Sequence, residues 1–357
     1  MIKLLLLFLL LLVVLFAGAC GDAGYYVQCV SGHWDVMRRC RPIDDLLTDS
    51  SLSAERRAQL EKILTVREFA SRSLALPDNG SYRKFADIER PFVVWNVVAA
   101  PEFSLEPKQW CFPVAGCVNY RGYFEETAAR READRLAAEG FEVDLYGVQA
   151  YSTLNWFDDP VLNTFVDGPE PRAAALVFHE LAHQVVYVAD DSRFNEAFAR
   201  TVEVEGVRRW LMQHGTAEQW QQYQEQAKKS VAFHDLLLHT REQLAALYAS
   251  SQLPVDKRRL KETILAEAAK EYGTLKSSWH GYAGYDAWMA RGLNNARLAS
   301  LATYHELVPA FQGLLAALGG ELPAFYQKVG ELAALPPPDR LAQLDGYAVK
   351  MQAKREP

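Results

Sequence analysis

The sequence of 357 residues lacks an excess of positive charge. It has 38 Lys and Arg residues against 45 Asp and Glu residues, which gives a formal net charge of −7. This balance argues against nucleic acid as a partner, because phosphate recognition relies on clustered basic residues. The sequence also lacks internal repeats and low-complexity tracts, and its apolar content of 50% is that of a globular protein. The chain is long enough for a large core and for two lobes.

Cysteine is scarce, with five residues in the chain, and no C-x-x-C pair is present. Zinc binding through cysteine is therefore not expected. Apart from Cys20, an even set remains, and an even set in an exported chain suggests two disulfides. These four cysteines allow three pairings, of which we prefer the one with short loops, Cys29–Cys40 and Cys111–Cys117.

A long apolar run occurs at the amino terminus. Residues 4–16 are almost all Leu, Val and Phe, and small residues follow before Cys20. This arrangement predicts a secretory signal over residues 1–19, with an apolar part too short for a transmembrane helix. Cys20 after small residues resembles the lipidation site of bacterial lipoproteins, and ordinary signal cleavage before this residue is the alternative.

The residue after Cys20 is Gly21 rather than Asp. This is similar to the sorting signal of lipoproteins in the outer membrane of Gram-negative bacteria. We therefore expect an exported protein that is held in the outer membrane by a lipid on Cys20 and faces the periplasm.

Residues 179–183 carry the motif H-E-x-x-H in a span, residues 172–190, that neither Pro nor Gly interrupts. The span predicts one helix, on which His179 and His183 lie one turn apart on the same face. Both imidazoles can then bind one zinc ion at about 2.0–2.1 Å. Glu180 lies beside them and is placed to take a proton from a metal-bound water. Unpaired histidines in a buried helix would be costly, which favours a metal site over a chance match.

A catalytic zinc usually has three protein ligands and one open position, so a third ligand is needed. Asp191 or Ser192 can cap a second helix, which carries Glu196 and Glu203 two turns apart on one side. A carboxylate from this helix could close the site. The other carboxylate could accept the second ring N–H of a zinc-bound histidine.

The runs C-F-P-V-A-G-C at 111–117, H-E-L-A-H-Q at 179–184 and N-E-A-F-A at 195–199 are similar to a bacterial family of predicted aminopeptidases. Members of this family are predicted zinc peptidases and often lipoproteins, and the resemblance covers nearly all of the mature chain. N-E-A also resembles the motif that provides the glutamate ligand of gluzincin metallopeptidases. The resemblance therefore implies Glu196 as the third ligand, with Glu203 as the runner-up or as the partner of a histidine ligand.

The predicted elements divide the chain into a helical segment at 20–90, an α/β segment at 91–192 and a helical lobe at 193–357. This order predicts an α+β, zincin-like fold, in which a small mixed sheet packs on the H-E-x-x-H helix. The predicted strands of the middle segment are residues 92–98, 118–123, 141–146 and 151–156, and its first helix is 125–140.

A peptidase site of this kind has two further parts, an edge strand and a hydrogen-bond donor. The last predicted strand, residues 151–156, is the candidate edge for pairing with an extended peptide, and an ordinary buried strand is the alternative. A zincin also needs a donor, often Tyr or His, for the negative charge that develops on the carbonyl oxygen. Tyr304 is the first candidate for this donor, followed by His305 and His280.

The sequence thus predicts a zinc-dependent metallopeptidase with one Zn²⁺ per chain and a peptide or protein substrate. His179, His183 and Glu196 would hold the ion, and Glu180 would act as general base on a zinc-activated water. The family resemblance implies an aminopeptidase. The alternatives are a metal-dependent hydrolase of a non-peptide amide and a non-catalytic envelope lipoprotein in which zinc holds two helices together.

Overall fold

The computed structural model describes residues 20–112, 116–153, 156–299 and 307–352. The predicted signal segment, residues 1–19, and two of the candidate donors, Tyr304 and His305, lie outside the described residues. Many helices with small sheets confirm the predicted α+β class. Within the described ranges, no helix is both long and apolar enough to cross a membrane.

Helices flank a strand-rich middle of the chain on both sides. The helices are α1 (Cys20–Arg38), α2 (Ile43–Thr48), α3 (Ala54–Leu74), α4 (Glu126–Ala138), α5 (Asn163–Val166), α6 (Glu170–His183), α7 (Ser192–His214), α8 (Ala217–Ala249), α9 (Pro254–Ser278), α10 (Asp286–Ala290), α11 (Val308–Ala317), α12 (Leu322–Ala333) and α13 (Pro337–Gln352). Residues 295–299 are also helical. The strands are β1 (Arg41–Pro42), β2 (Lys84–Ala86), β3 (Val94–Pro101), β4 (Trp110–Phe112), β5 (Gly116–Val118), β6 (Arg121–Tyr123), β7 (Phe141–Val148) and β8 (Val161–Leu162).

The strands form separate small sheets rather than the predicted single mixed sheet. β6, β3 and β7 make an antiparallel sheet in that order, β1, β2 and β8 make a mixed sheet, and β4 pairs with β5. The predicted strand at 118–123 is thus divided between β5 and β6. Side chains alternate along β3, so Val97 and Ala99 pack with α4 while Val94 and Asn96 face a cleft.

The H-E-x-x-H helix, α6, lies in the largest apolar core. Phe178 of α6 is fully buried, and the helix packs against α3 and α7. Gly206 of α7 makes this close contact possible, because a Cβ there would lie 2.6 Å from the Phe178 ring. The buried cluster extends from Val36 to Leu344, so all three predicted segments contribute to one core.

Helix α6 ends at His183, although the sequence predicted a helix as far as residue 190. Gln184, the first residue after the helix, is held by side chains from another part of the chain. Its amide nitrogen donates to Ser81 Oγ at 3.2 Å, and its amide oxygen accepts from Asn79 Nδ2 at 2.8 Å. These contacts stop the helix and direct the chain towards α7.

The predicted edge strand at 151–156 is not a strand in residues 151–153, and residues 154 and 155 lie outside the described ranges. Asp159 gives the reason. Its carboxylate accepts from the Thr153 backbone N–H at 3.1 Å and from Ser152 Oγ at 3.4 Å, so these groups are held by Asp159 rather than by a neighbouring strand.

One of the two expected disulfides is present. Cys111 and Cys117 are bonded and lie opposite each other in the β4–β5 hairpin. Cys29 and Cys40 are free thiols, so the second expected pair is not formed. The helix runs for roughly 13 Å from Cys29 to its end at Arg38, and Cys40 lies beyond that end, whereas a disulfide needs Cα atoms within about 7 Å.

Helices α8 and α9 pack against each other around a second apolar cluster. Phe233, Leu237 and Leu244 of α8 meet Ala268 and Tyr272 of α9 in this cluster. It is separate from the core that surrounds α6 and α7.

Candidate metal centre and cleft

Helix α6 presents two imidazoles on one face, one turn apart. The Nε2 atoms of His179 and His183 lie 3.2 Å apart, and the two rings meet edge to face. Both side chains are largely buried, with exposed fractions of 17% and 8%. The helical spacing of the motif therefore brings both Nε2 atoms towards one point.

Glu196, near the start of α7, completes the cluster. Its Oε2 lies 3.2 Å from His179 Nε2, and its Oε1 lies 3.7 Å from His183 Nε2. One atom from each of the three residues can be chosen so that all lie within 4.8 Å of one another. In the described part of the chain, this is the group of His, Cys, Asp and Glu side chains that could hold a metal ion.

The connection between α6 and α7 is short, and Asn195 holds it. The Asn195 amide donates to the Val188 carbonyl at 2.7 Å and accepts from the Val188 N–H at 2.8 Å. Asp191 caps α7 by accepting from the Phe194 N–H at 3.1 Å, and Asp190 adopts a φ of 65°. Together these contacts reverse the chain and bring the start of α7 back to the imidazoles.

The spacing of the three side chains fits a tetrahedral zinc site. With bonds of about 2.0–2.1 Å, the ligand atoms around tetrahedral zinc are roughly 3.3 Å apart. The observed separations of 3.2, 3.2 and 3.7 Å are close to this value. Two imidazoles and one carboxylate are also a donor set that catalytic zinc uses. The residues present therefore fit such an ion.

Glu203 contacts His179 on the opposite side of its ring. Glu203 Oε2 lies 3.2 Å from His179 Nδ1, and Oε1 accepts from the Arg200 guanidinium. A carboxylate at Nδ1 keeps a proton there and leaves the Nε2 lone pair available for a metal. His183 differs, because its Nδ1 is buried without a hydrogen-bond partner among the described residues.

The protonation of the three side chains depends on burial and on their mutual charges. Burial lowers the pKa of His183 to about 4, so its ring is neutral near pH 7. Burial also acts to lower the pKa of His179, but hydrogen bonds with Glu196 and Glu203 outweigh it and raise that pKa. For Glu196, burial acts to raise the pKa, but both imidazoles hold it below its ordinary value. His183 and Glu196 are thus in the neutral and ionised forms that bind metals, whereas the imidazole of His179 would have to release its Nε2 proton when a metal binds.

Glu180 lies in the same cleft, next to His179 in the helix. Burial raises the pKa of Glu180 to about 7; His179 opposes this rise, and Glu196 and Asp159 add to it. A carboxylate with a pKa near 7 can both accept and return a proton at neutral pH. The arrangement therefore places a candidate general base beside a candidate metal site.

The cleft in front of these residues has a volume of about 600 Å³. Helices α6 and α7 form one side, and the β6–β3–β7 sheet and α1 form the other. Aromatic side chains make up much of its wall, namely Tyr25, Phe112, Tyr120, Phe124, Tyr151, Trp156, Phe157 and Tyr187. Such a cleft can hold an extended chain with apolar side chains.

Comparison with known protein families identifies one match. The model of a family described as "Putative aminopeptidase" matches residues 24–344. The chain belongs to this family. The resemblance inferred from the sequence motifs is thus confirmed, and the family's name suggests peptidase activity on a peptide substrate. No curated protein and no solved structure matches the chain.

Two phenols in the cleft of this family member were not singled out from the sequence. Tyr120 and Tyr187 line the cleft. Burial is the largest cause of the raised pKa of each phenol, and the negative charge of Glu196 is the second cause. Glu180 also raises the pKa of Tyr120, so this phenol lies within electrostatic range of both carboxylates. Among the predicted donors, His280 is exposed and does not line the cleft.

Helix α1 also contributes to the site of this family member, which the sequence did not indicate. Its residues Tyr25, Cys29 and His33 line the cleft, and His33 Nδ1 is hydrogen-bonded to Tyr151 Oη at 2.7 Å. The spacing of these three residues, one turn apart, was the available signal.

The side chain of Gln28 attaches α1 to the edge of the sheet. Its Nε2 donates to the Gly122 carbonyl at 3.3 Å, and its Oε1 accepts from the Phe124 N–H at 3.0 Å. Gly32 lets the helix approach, because a Cβ there would overlap the Phe124 ring. These contacts fix α1 as one wall of the cleft.

Proposed function

We propose that this chain is a zinc-dependent metallopeptidase. The observation that carries the proposal is the convergence of His179 Nε2, His183 Nε2 and the Glu196 carboxylate within 4.8 Å, in a cleft that also contains Glu180. Membership of the aminopeptidase family supports a peptide bond as the target. Cleavage next to a free amino terminus is the form of this activity that the family name suggests.

A zinc ion held by these three residues would polarise the substrate carbonyl and make a nearby water more acidic. Glu180 takes a proton from the water that attacks the carbonyl carbon. It then gives that proton to the amine that leaves as the C–N bond breaks. Glu203 keeps His179 in the tautomer with a free Nε2, and Asn195 holds the turn that positions Glu196.

Tyr120 is the described residue best placed to donate a hydrogen bond to the carbonyl oxygen as it becomes negative. It lines the cleft near Glu180 and Glu196, and its raised pKa keeps the hydroxyl protonated. Tyr304 remains a prediction, because it lies outside the described residues.

The sheet edge at β6 takes the role that was predicted for residues 151–156. β6 is the outer strand of its sheet, and Gly122 lines the cleft opposite α6. The Gln28 side chain already pairs with the Gly122 carbonyl and the Phe124 N–H. An extended peptide would therefore pair with this edge on the Tyr120 side of Gln28, in a zincin-like arrangement.

Export and lipidation of Cys20 belong to the same proposal. Their support is the signal-like pattern of residues 1–19 and the small residues before Cys20. The Cys111–Cys117 disulfide is in keeping with an oxidising compartment such as the periplasm. Mass spectrometry of the mature amino terminus tests this part directly, since an unmodified Cys20 would reject the lipid anchor.

Metal analysis and a peptide-hydrolysis assay on the purified protein test the central proposal. We expect one zinc ion per chain and an activity that a chelator removes and added zinc restores. Peptides with free and with blocked amino termini separate an aminopeptidase from an endopeptidase. Zinc binding without any hydrolysis would favour the non-catalytic envelope lipoprotein. Hydrolysis of non-peptide amides alone would favour the metal-dependent amide hydrolase. A protein that binds no zinc would overturn the proposal.

A further inference from the structure

Helix α1 has two faces with different surroundings. One face lines the cleft through Tyr25, Cys29 and His33. The opposite side, which we call the outer face, consists of four apolar side chains: Tyr26, Val27, Val30 and Trp34. Their exposed fractions are 42%, 68%, 70% and 69%, respectively.

The outer face is a continuous stripe rather than a scatter of single residues. Val27, Val30 and Trp34 follow the helical spacing i, i+3, i+7 and therefore lie along one side of α1. Soluble surfaces seldom expose several large apolar side chains on successive turns. Arg38, which extends the stripe by one turn, is exposed and forms an ion pair with Asp35 at the end of the stripe.

We propose that the outer face of α1 lies on a lipid bilayer. The apolar run at residues 4–16 ends just before α1 begins at Cys20, and Tyr26 is about 9 Å along the helix from that start. A membrane attachment at residue 20 would therefore hold the outer face within reach of the lipid. Trp and Tyr favour the membrane–water interface, and Val favours the acyl boundary.

This placement brings the cleft to the membrane surface. The wall between the outer face and the cleft is a single helix, about 10 Å thick. Trp156 and Phe157 at the cleft are also exposed, at 67% and 51%, and the Phe157 ring centroid lies 4.6 Å from that of His33 in α1. The nature of the substrate rests on the proposed peptidase function. With that function, the substrates are peptide segments at or near a bilayer.

Lipid quenching of Trp34 tests the membrane contact. The full chain is purified from membranes with the amino terminus it carries there, and it is placed in nanodiscs of phosphatidylethanolamine and phosphatidylglycerol with brominated acyl chains. Because bromine quenches indole fluorescence only at short range, Trp34→Phe should remove a large part of the lipid-dependent quenching, and Trp156 at the cleft accounts for what remains. Trp279→Phe, at the end of α9, should leave it unchanged.

A second pair of variants keeps Trp34 as the reporter. Val27→Ser with Val30→Ser should weaken the quenching of Trp34, because the stripe loses its apolar side chains. Val231→Ser with Val255→Ser, which alters two side chains with exposed fractions of 60% and 66% on α8 and α9, should not.

Three outcomes would overturn the proposal. The first is equal quenching of the wild type and Trp34→Phe. The second is an unquenched Trp34 in a protein that light scattering shows to be a dimer, if Val27→Ser with Val30→Ser dissociates that dimer. A second copy of the chain would then cover the outer face. The third is an unquenched Trp34 in a chain that mass spectrometry shows to retain residues 1–19, which would then cover it themselves. None of these readouts depends on zinc or hydrolysis, so a failure of the proposed function is seen separately.

Discussion

The helix pairs α6–α7 and α8–α9 use their contact faces in opposite ways. Between α6 and α7 lie the side chains of His179, His183 and Glu196, with nitrogen and oxygen atoms 3.2–3.7 Å apart. Between α8 and α9 lie mainly apolar side chains, such as Phe233 and Leu237, in a cluster of their own. One pair brings ionisable groups together at its contact face, and the other packs mainly apolar side chains there.

This difference shows where the chain accepts an energetic cost. Burying polar groups lowers stability unless they find partners. In the second pair, buried Thr240 donates to the Leu236 carbonyl and buried Lys261 donates to the Glu102 carbonyl. In the first pair, His183 Nδ1 has no partner in the described part of the chain. We therefore expect substitutions in the first pair to change metal content and turnover, and substitutions in the second pair to change stability.

The largest effect is expected at His183. His183→Ala should abolish both zinc binding and turnover, because it removes one of three ligands. His239→Ala is the matched control, since His239 is exposed on α8. Zinc per chain by mass spectrometry and the rate of peptide hydrolysis are the measurements. Full zinc content in His183→Ala would reject the site.

Glu180→Gln should separate chemistry from metal binding. We expect it to keep zinc and the thermal unfolding temperature but to lose turnover by about 100-fold or more, because an amide cannot accept the proton. Glu225→Gln, at an exposed position on α8, should behave as the wild type. Wild-type turnover in Glu180→Gln would show that another group is the base.

Glu196 and Glu203 should differ in the size of their effects. Glu196→Ala should remove most zinc affinity, because a ligand is lost. Glu203→Ala should weaken zinc binding by about 10–100-fold, as expected for a carboxylate that orients a histidine ligand. Zinc titrations of both variants give the comparison. If Glu203→Ala loses the metal and Glu196→Ala keeps it, the two roles must be exchanged.

The smallest effect on turnover is expected in the second helix pair. Leu237→Ala, at a position with 1% of its surface exposed, should lower the free energy of unfolding by about 2–5 kcal/mol. Its zinc content and its turnover while folded should be unchanged, because the α8–α9 cluster is separate from the core around α6. Urea unfolding and hydrolysis assays at low temperature test both statements. Loss of zinc in the folded variant would show that the two pairs are coupled.

The candidate metal centre was largely predictable because its parts are local. The spacing of His179 and His183 fixes their common face, and the seven-residue spacing of Glu196 and Glu203 does the same on α7. The rest of the cleft was not predictable in this way. Tyr120 and the residues of α1 reach the site only through tertiary packing, as in the contact of His33 with Tyr151 across 118 positions.

The same distinction applies to the fold. The helix Glu126–Ala138 and the strands Val94–Pro101 and Phe141–Val148 lie near their predicted positions, because spacing and alternation within each segment determine them. The end of α6 was wrong because Ser81 and Asn79, about a hundred positions earlier, hold Gln184. The strand predicted at 151–156 was wrong for residues 151–153, because the carboxylate of Asp159 holds the Thr153 N–H.

The candidate ligands and Glu203 come from a short stretch of the chain, and this bears on the order in which the site folds. His179 and Glu203 are 24 positions apart, whereas the contacts of α1 with the sheet and with Tyr151 span 94 to 118 positions. Closing a short loop costs less chain entropy than closing a long one, so local contacts form earlier. We therefore expect the α6–α7 hairpin to form before α1 docks, so that the cleft is assembled around candidate ligands that are already close together.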